Sequence, residues 1–143
     1  MKKNILFICR YNRFRSRIAE TYFNKINKNK DTFAKSAGLI RGEPITSAQI
    51  IPAKKFGLDI SGVPQELSYK ILDWQNIIVI VADDVPGNIF SKKNKETKKV
   101  FYWKIKDANL RKGRTAEVVI KELIVKVKEF EKQLNKGKKN GNS

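Results

Sequence analysis

The sequence predicts an α/β fold, a four-stranded parallel sheet with helices on both faces. Four short apolar segments of strand length alternate with segments whose apolar residues recur at helical spacing. Residues 76–82 are β-branched and apolar almost throughout, as in a strand covered on both faces. With 143 residues, 41% of them hydrophobic, the chain is long enough for one domain with a real core.

The first strand and helix are the clearest elements of the amino-terminal half. Residues 4–8 are apolar and read as a buried strand. From residue 18 to residue 26 apolar side chains recur at helical spacing, and Ser16 is a good N-cap for that helix. Residues 32–36 predict a short second strand, which ends at Gly38.

Two further helices are expected before the third strand. Residues 46–56 have a helical pattern that Pro52 should kink or split and that Gly57 should stop. Residues 66–74 are compatible with another helix.

The carboxyl-terminal half predicts two strands and a closing helix. Residues 76–82 and 99–105 are the strands, and residues 85–90 predict the opening of a short helix between them. One domain over residues 1–136 is expected, with a flexible basic tail at 137–143. A long amphipathic helix is indicated by apolar residues at four-three-four spacing, namely Ala116, Ile120, Leu123, Val127, Phe130 and Leu134.

Composition excludes several classes of protein. With one cysteine there is no internal disulfide, and a reduced, cytoplasmic protein is expected. The absence of histidine removes His-based triads, Cys-His dyads and ordinary zinc sites, so we expect no metal and no cofactor. No apolar run has the length of a membrane span, and the apolar stretch after the first lysines is too short for a signal peptide.

The net charge of +17 has two interpretations. The first is a solvated lysine surface, and the second is attraction to phosphates or nucleic acid. Basic runs occur at residues 91–99 and 136–139, but no aromatic-interleaved motif of an RNA-binding module is present, so a nucleic-acid partner is not favoured.

The segment after the first strand has the pattern Cys-x5-Arg-Ser, formed by Cys9, Arg15 and Ser16. A cysteine nucleophile must be ionised near pH 7, which requires a positive field without a counter-anion. A loop of inward-facing backbone N–H groups that closes onto a helix N-terminus supplies that field and binds a phosphate dianion. The alternative is a small buried cysteine that closes a strand and is followed by basic helix residues.

Three side chains have expected roles in such a loop. Arg15 can grip phosphate oxygens with its bidentate fork. Ser16 can stabilise the thiolate by a hydrogen bond, and Asn12 can brace the loop because asparagine tolerates left-handed backbone.

These residues carry a family resemblance. The segment ILFICRYNRFRSRIAE resembles the opening of the low-molecular-weight protein-tyrosine phosphatases, whose loop reads C-x-G-N-x-x-R-S and is followed by an A-E pair. SAG at residues 36–38 and FGLDIS at residues 56–61 are similar to later landmarks. The resemblance implies a flavodoxin-like phosphatase fold. The implied phosphate-binding loop consists of Arg10, Tyr11, Asn12, Arg13, Phe14, Arg15 and Ser16, with Cys9 as nucleophile.

The resemblance also implies a late aspartate that protonates the leaving oxygen. Asp107 is the best counterpart, just past the last predicted strand, although it could instead be a surface turn residue or helix cap. Asp83 and Asp84, after the third strand, are rival carboxylates, but an acidic residue there is more structural than catalytic in the family.

Several positions depart from the family pattern. Tyr11 replaces the family glycine, where a positive φ would be strained, and Arg10 and Arg13 replace apolar or small residues. Ala108 replaces the proline after the aspartate, and the aromatic residues that commonly follow are absent. These departures weaken the case for a phosphotyrosine preference, and the arginines favour a more anionic substrate.

The predicted function is a metal-independent phosphomonoester phosphatase, with phosphotyrosine in proteins as one candidate substrate, acting through a cysteinyl-phosphate. Expected partners are a phosphorylated protein or small molecule, and a phosphate or sulfate ion in the loop. One alternative is a catalytically degenerate member that binds phosphate or nucleic acid. The other is an arsenate reductase that uses an external thiol, because one cysteine excludes an internal disulfide cascade.

Overall fold

A computed structural model of the protein describes residues 2–90 and 99–141, with side chains to residue 136. Four strands, β1 (Lys3–Cys9), β2 (Thr32–Gly38), β3 (Ile77–Ile80) and β4 (Lys99–Tyr102), form one sheet in the order β2-β1-β3-β4. Each neighbouring pair is parallel. The predicted four-stranded parallel α/β fold is confirmed.

Four helices accompany the sheet: α1 (Arg15–Ile26), α2 (Ser47–Lys55), α3 (Tyr69–Trp74) and α4 (Ala116–Gly141). Short 3-10 helices cover Gly87–Phe90 and Leu110–Lys112. Thr46 and Gln49 form a capping box at the start of α2, and the Ser68 hydroxyl caps α3 by accepting from the Ile71 N–H.

The strand order places the end of β1 at a special point of the sheet. The chain leaves β1 toward β2 on one side, and β3 then pairs with the other side of β1. Ligands of open parallel sheets bind at the carboxyl ends of the strands at such a reversal. Cys9 is the last residue of β1, so the loop that follows it opens into this crevice.

The core is built on the central strands and the faces of α1 and α4. Every residue from Ile77 to Ile80 is buried, as expected for a strand covered on both sides. Phe130 of α4 packs edge-on against Phe7, Phe101 and Trp103, at ring-centroid distances of 6.2, 5.4 and 5.6 Å. These contacts fix α4 against the sheet and hold the end of β4 in place.

Three local predictions require correction or qualification. Helix α2 continues through Pro52, so the proline does not split it. Ser16 is not an N-cap, because α1 already begins at Arg15 after Phe14, and the Ser16 hydroxyl points elsewhere. Helix α4 runs to Gly141 and so enters the segment predicted as a tail; the mobility of residues 137–143 remains a prediction. The basic run at 91–99 lies outside the described residues, except for Lys99.

Candidate active site

The loop between β1 and α1 surrounds the sulfur of Cys9. The side chain is 2% exposed, and its Sγ accepts a hydrogen bond from the backbone N–H of Asn12 at 3.3 Å. The hydroxyl oxygen of Ser16 lies 3.0 Å from the same sulfur. The sulfur therefore sits among hydrogen-bond donors beside the first turn of α1, where the helix dipole is positive.

Asn12 holds this loop together from inside the protein. It is fully buried and is the one described non-glycine residue with positive φ, at 56°. Its Oδ1 accepts from the backbone N–H of Gln65 at 2.8 Å, which fixes the orientation of the amide. Its Nδ2 therefore donates to the hydroxyl oxygens of Ser16 and Ser36, at 2.7 and 2.9 Å.

The direction of these hydrogen bonds determines which groups can stabilise a thiolate. Because Ser16 accepts from Asn12, its own hydroxyl proton is free to point to Cys9. Ser36 likewise accepts from Asn12 and donates to Oε1 of Glu20 at 2.5 Å. Burial raises the pKa of Glu20, although the Ser36 hydroxyl and the charge of Arg17 oppose that shift.

Tyr11 is not strained, contrary to expectation. The left-handed residue of the loop is Asn12, so the tyrosine at the family glycine position keeps a negative φ. The tight contact lies instead at Gly38. A methyl group there would be 2.7 Å from the carbonyl carbon of Tyr11 and 2.8 Å from the nitrogen of Asn12. The glycine of the SAG segment therefore lets β2 pack against the loop backbone.

Arg15 is buried, 3% exposed, and its guanidinium faces two strand ends. Nη2 donates to both carboxylate oxygens of Asp84, at 2.9 and 3.1 Å. Nη1 donates to the carbonyl oxygen of Ile105 at 2.9 Å and to Asp83 at 3.4 Å. The carboxylates after β3 thus neutralise and orient the loop arginine.

Asp107 also lies beyond the carboxyl ends of the strands and is more exposed to solvent than Arg15. Its side chain is 57% exposed, and Oδ2 lies 3.9 Å from Nη2 of Arg15. Oδ1 accepts from the backbone N–H of Ala108 at 2.8 Å. The protein therefore brings Cys9, Arg15 and Asp107 together around one cleft of about 190 Å³.

The other predicted loop residues have separate positions. The Arg13 guanidinium donates to the carbonyl oxygens of Glu43 and Pro44, at 3.0 and 2.9 Å, so it braces the wall of the cleft. Phe14 is buried in the core, and its backbone carbonyl accepts from the N–H of Ile18 in α1. Arg10 lies exposed, with its guanidinium 5.4 Å from the ring centroid of Tyr11.

Sequence reasoning missed two supports of the loop. Arg17 donates to the carbonyl oxygens of Ile60 and Ser61, both at 2.8 Å, and ties α1 to the segment after α2. The Gln65 backbone fixes Asn12, as described above. An arginine directly after a predicted loop serine was the available signal for Arg17. The contact of Gln65 is made by its backbone N–H, which every residue except proline has, so the residue type could not have predicted it.

Residues 2–90 and 99–141 contain no group of three or more His, Cys, Asp or Glu side chains arranged to hold a metal ion. None of the helices within those ranges is long and apolar enough to cross a membrane.

The sequence profile of the low molecular weight phosphotyrosine protein phosphatases matches residues 4–139. The chain belongs to this family. The predicted family is confirmed, and with it the prediction of a phosphatase-type hydrolase. No curated protein sequence matches significantly.

Solved structures share the fold of this phosphatase family member. The low molecular weight protein tyrosine phosphatase of T. tengcongensis is 24% identical, with a TM-score of 0.76 over 92% of this chain and 99% of that one. The YwlE arginine phosphatase of Geobacillus stearothermophilus is 19% identical, with a TM-score of 0.79 over 96% of each chain. The thioredoxin-dependent arsenate reductase of Corynebacterium glutamicum is 18% identical, with a TM-score of 0.75 over 95% of this chain. This chain spans 63% of the length of that reductase.

Proposed function

We propose that the protein is a metal-independent phosphomonoester hydrolase that acts through a cysteinyl-phosphate intermediate. The observation that carries this proposal is the setting of Cys9, whose sulfur faces the Asn12 N–H and the Ser16 hydroxyl at the start of α1. Such an arrangement stabilises a thiolate and places donors where phosphate oxygens would bind.

In the first step the Cys9 thiolate attacks phosphorus. A sulfur–phosphorus bond forms, and the bond between phosphorus and the ester oxygen breaks. Asp107, exposed at the cleft, donates a proton to that oxygen, so the leaving group departs as an alcohol or phenol. Loop N–H groups and the Arg15 guanidinium stabilise the equatorial oxygens as charge builds on them.

In the second step water releases the phosphate. Asp107, now ionised, takes a proton from the water as its oxygen attacks phosphorus. The sulfur–phosphorus bond breaks, inorganic phosphate forms and the Cys9 thiolate returns. In this step the Ser16 hydroxyl stabilises the sulfur as the leaving group. Because Ser16 accepts a hydrogen bond from Asn12, the proton of the Ser16 hydroxyl points to Cys9.

The walls of the cleft support an aromatic phosphomonoester as substrate, including phosphotyrosine. Ala48, Ala108 and Ala116 are small and leave space beside the loop, while Tyr11 contributes an aromatic ring. The aromatic side chain thus comes from the loop itself and not from the segment after Asp107. A phosphorylated protein or small molecule is the proposed partner, and the reducing cytoplasm is the proposed compartment because a thiolate must stay unoxidised.

The two alternatives differ from this proposal in measurable ways. A protein that only binds phosphate or nucleic acid releases no product from a phosphate ester. A reductase that uses an external thiol, like the thioredoxin-dependent relative, consumes that thiol when arsenate is added. Neither alternative requires Asp107 to act as a proton donor.

The test is hydrolysis of p-nitrophenyl phosphate in the presence of a metal chelator. We expect turnover by the wild type, and none by Cys9→Ser, which should still bind vanadate or phosphate because the loop N–H groups remain. Ser47→Ala, an exposed change on α2, is the matched control and should retain activity. Wild-type turnover by Cys9→Ser would refute the cysteinyl-phosphate mechanism.

A further inference from the structure

Exposed positive charge lies on the chain segments next to the residues that line the cleft. Four side chains, which we call the basic rim, are exposed on these segments: Arg10, Arg41, Arg111 and Lys112. Within the part of the chain that the structure describes, the ion pairs involve Arg15 and Arg114 and none of the four rim side chains. The rim therefore presents charge that is not neutralised by the protein itself.

The first part of the rim is held against the phosphate loop. The Ile40 N–H donates to the carbonyl oxygen of Arg10 at 3.0 Å. Gly42 approaches Tyr11 so closely that a methyl group there would lie 2.6 Å from its carbonyl oxygen. The backbone of Arg41, between these two anchored residues, is thereby held next to the loop, and its side chain lines a neighbouring hollow with Pro44 and Pro64.

The second part of the rim belongs to a small loop next to Asp107. Asn109 and Arg114 exchange two backbone hydrogen bonds, of 2.8 and 2.9 Å, which close the loop at its base. Ala108 and Ala116, on either side of that base, both line the cleft. The tip, Leu110–Lys112, therefore extends from a base that borders the cleft, and its leucine is 81% exposed.

We propose that this phosphatase acts on phosphorylated segments of proteins in which acidic residues flank the phosphorylated side chain. This inference rests on the proposed function and adds its substrate class. The rim attracts the flanking carboxylates, while exposed Leu110 and Ile40 offer apolar contacts to the peptide. Glu43 is the one carboxylate among residues 38–49, so the positive charge of the rim dominates there.

A protein segment fits this rim better than a nucleic acid does. Single-stranded nucleic acids bind to successive aromatic rings that stack with bases. Two aromatic residues line the cleft, but Phe14 is buried, and the ring of the more exposed Tyr11 is already covered by Arg10. A nucleic acid would gain charge contacts from the rim but no row of stacking partners.

The test measures binding to the Cys9→Ser protein, which does not depend on turnover. Three fluorescent phosphotyrosine peptides differ only in their flanking residues, which are aspartate, asparagine or lysine. We expect the aspartate peptide to bind about three- to tenfold more tightly than the asparagine peptide, and the lysine peptide to bind most weakly. The preference should shrink as salt is raised, because exposed charges are screened.

A matched pair of variants separates the rim from overall charge. Arg111→Ala/Lys112→Ala should lose most of the preference for aspartate. Lys28→Ala/Lys30→Ala removes the same charge from exposed positions before β2, at the opposite end of the strands, and should keep that preference. Equal binding of the three peptides, or equal losses in both variants, would overturn the inference. Tighter binding of a single-stranded RNA 20-mer than of the aspartate peptide would also overturn it.

Hydrolysis of p-nitrophenyl phosphate by the wild type distinguishes the two proposals. Hydrolysis without a peptide preference leaves the proposed function intact and removes the acidic substrate class. A preference for the aspartate peptide without hydrolysis would support the binding of acidic phosphopeptides and refute the phosphatase mechanism for this chain.

Discussion

Three carboxylates lie close to Arg15, and of these three Asp107 lines the cleft, as a proton donor in the proposed mechanism must. Asp84 and Asp83 hydrogen-bond the guanidinium and so are committed to holding it. Asp107 is 3.9 Å away and lines the cleft. Asp107→Asn should therefore slow alkyl phosphates by about 10² to 10⁴ and p-nitrophenyl phosphate far less, because p-nitrophenolate needs little protonation.

A control variant completes the test of Asp107. Asp83→Asn is the control and should slow the hydrolysis of both substrates alike, because Asp83 helps to orient Arg15. The prediction is wrong if Asp83→Asn or Asp84→Asn slows alkyl phosphates more than p-nitrophenyl phosphate while Asp107→Asn does not. The proton donor would then be a carboxylate at the end of β3.

Glu20 makes stability depend on pH. Burial raises its pKa in the folded protein above the ordinary value of about 4.3. A raised pKa means that the folded state binds the proton more tightly than the unfolded state does. The resulting stability is present below the unfolded pKa and is lost as pH rises through the folded pKa.

Glu20→Gln removes that titration and keeps an oxygen that can accept from Ser36. As pH is lowered from 7 toward 4, the wild type should gain stability relative to Glu20→Gln, measured by chemical denaturation. Glu117→Gln, on α4, is the control for the loss of one carboxylate away from Ser36 and Arg17. A constant difference between wild type and Glu20→Gln across this range would contradict the role of burial.

The sequence predicts which residues form the loop, but not what each side chain contacts. The left-handed backbone of Asn12 was expected, because asparagine tolerates it. The side chain of Ser16 could not be assigned uniquely, since a serine hydroxyl can cap a helix or face a sulfur, and tertiary contacts select the second. The pairing of Arg15 with Asp84, 69 residues away, depends on strand order and has no local signal.

At the level of elements, β2 and the loop of Cys9 must pack backbone against backbone at Gly38. Gly38→Ala places a methyl group within 2.8 Å of loop backbone that cannot rotate away. We expect a loss of about 1 to 3 kcal/mol in the free energy of unfolding, together with weaker vanadate binding. Both quantities can be measured on the same preparation.

Gly57→Ala is the matched control for this prediction. Gly57 has φ of 73°, and a methyl group there would meet only the mobile end of Lys25. It should cost about 1 to 2 kcal/mol for the left-handed backbone and leave vanadate affinity unchanged. Normal vanadate affinity in Gly38→Ala would show that the loop tolerates displacement by β2.

Element positions were largely predictable because the apolar pattern has a different period in strands and helices. Residues 76–82 were predicted as a buried strand, and β3 occupies Ile77–Ile80. The effect of a proline was less predictable. Helix α2 continues through Pro52, whereas the general tendency of proline to kink or break a helix predicts an interruption.

At the level of the whole molecule, the net charge of +17 opposes folding because like charges repel one another in the compact state. Any salt screens this repulsion and should stabilise the protein. A phosphate ion should stabilise the protein further by binding the folded loop. At ten times its Kd, phosphate should add about 1.4 kcal/mol. That corresponds to about 3 to 6 °C in Tm beyond chloride of equal ionic strength.

The loop-distorted variant Gly38→Ala serves as the comparison for this prediction. It retains the net charge, so chloride should raise its Tm as in the wild type, whereas the additional effect of phosphate should be lost. An equal effect of phosphate and chloride on the wild type would mean that only screening acts.

The bond from Arg15 to the carbonyl oxygen of Ile105 spans 90 positions of the chain. During synthesis, Cys9 leaves the ribosome long before Ile105 and Asp107. Under the proposed mechanism, a chain without β4 and the segment after it contains the thiol but lacks the proton donor. In refolding experiments, recovery of activity should consequently report the docking of β4 and not the formation of the loop alone.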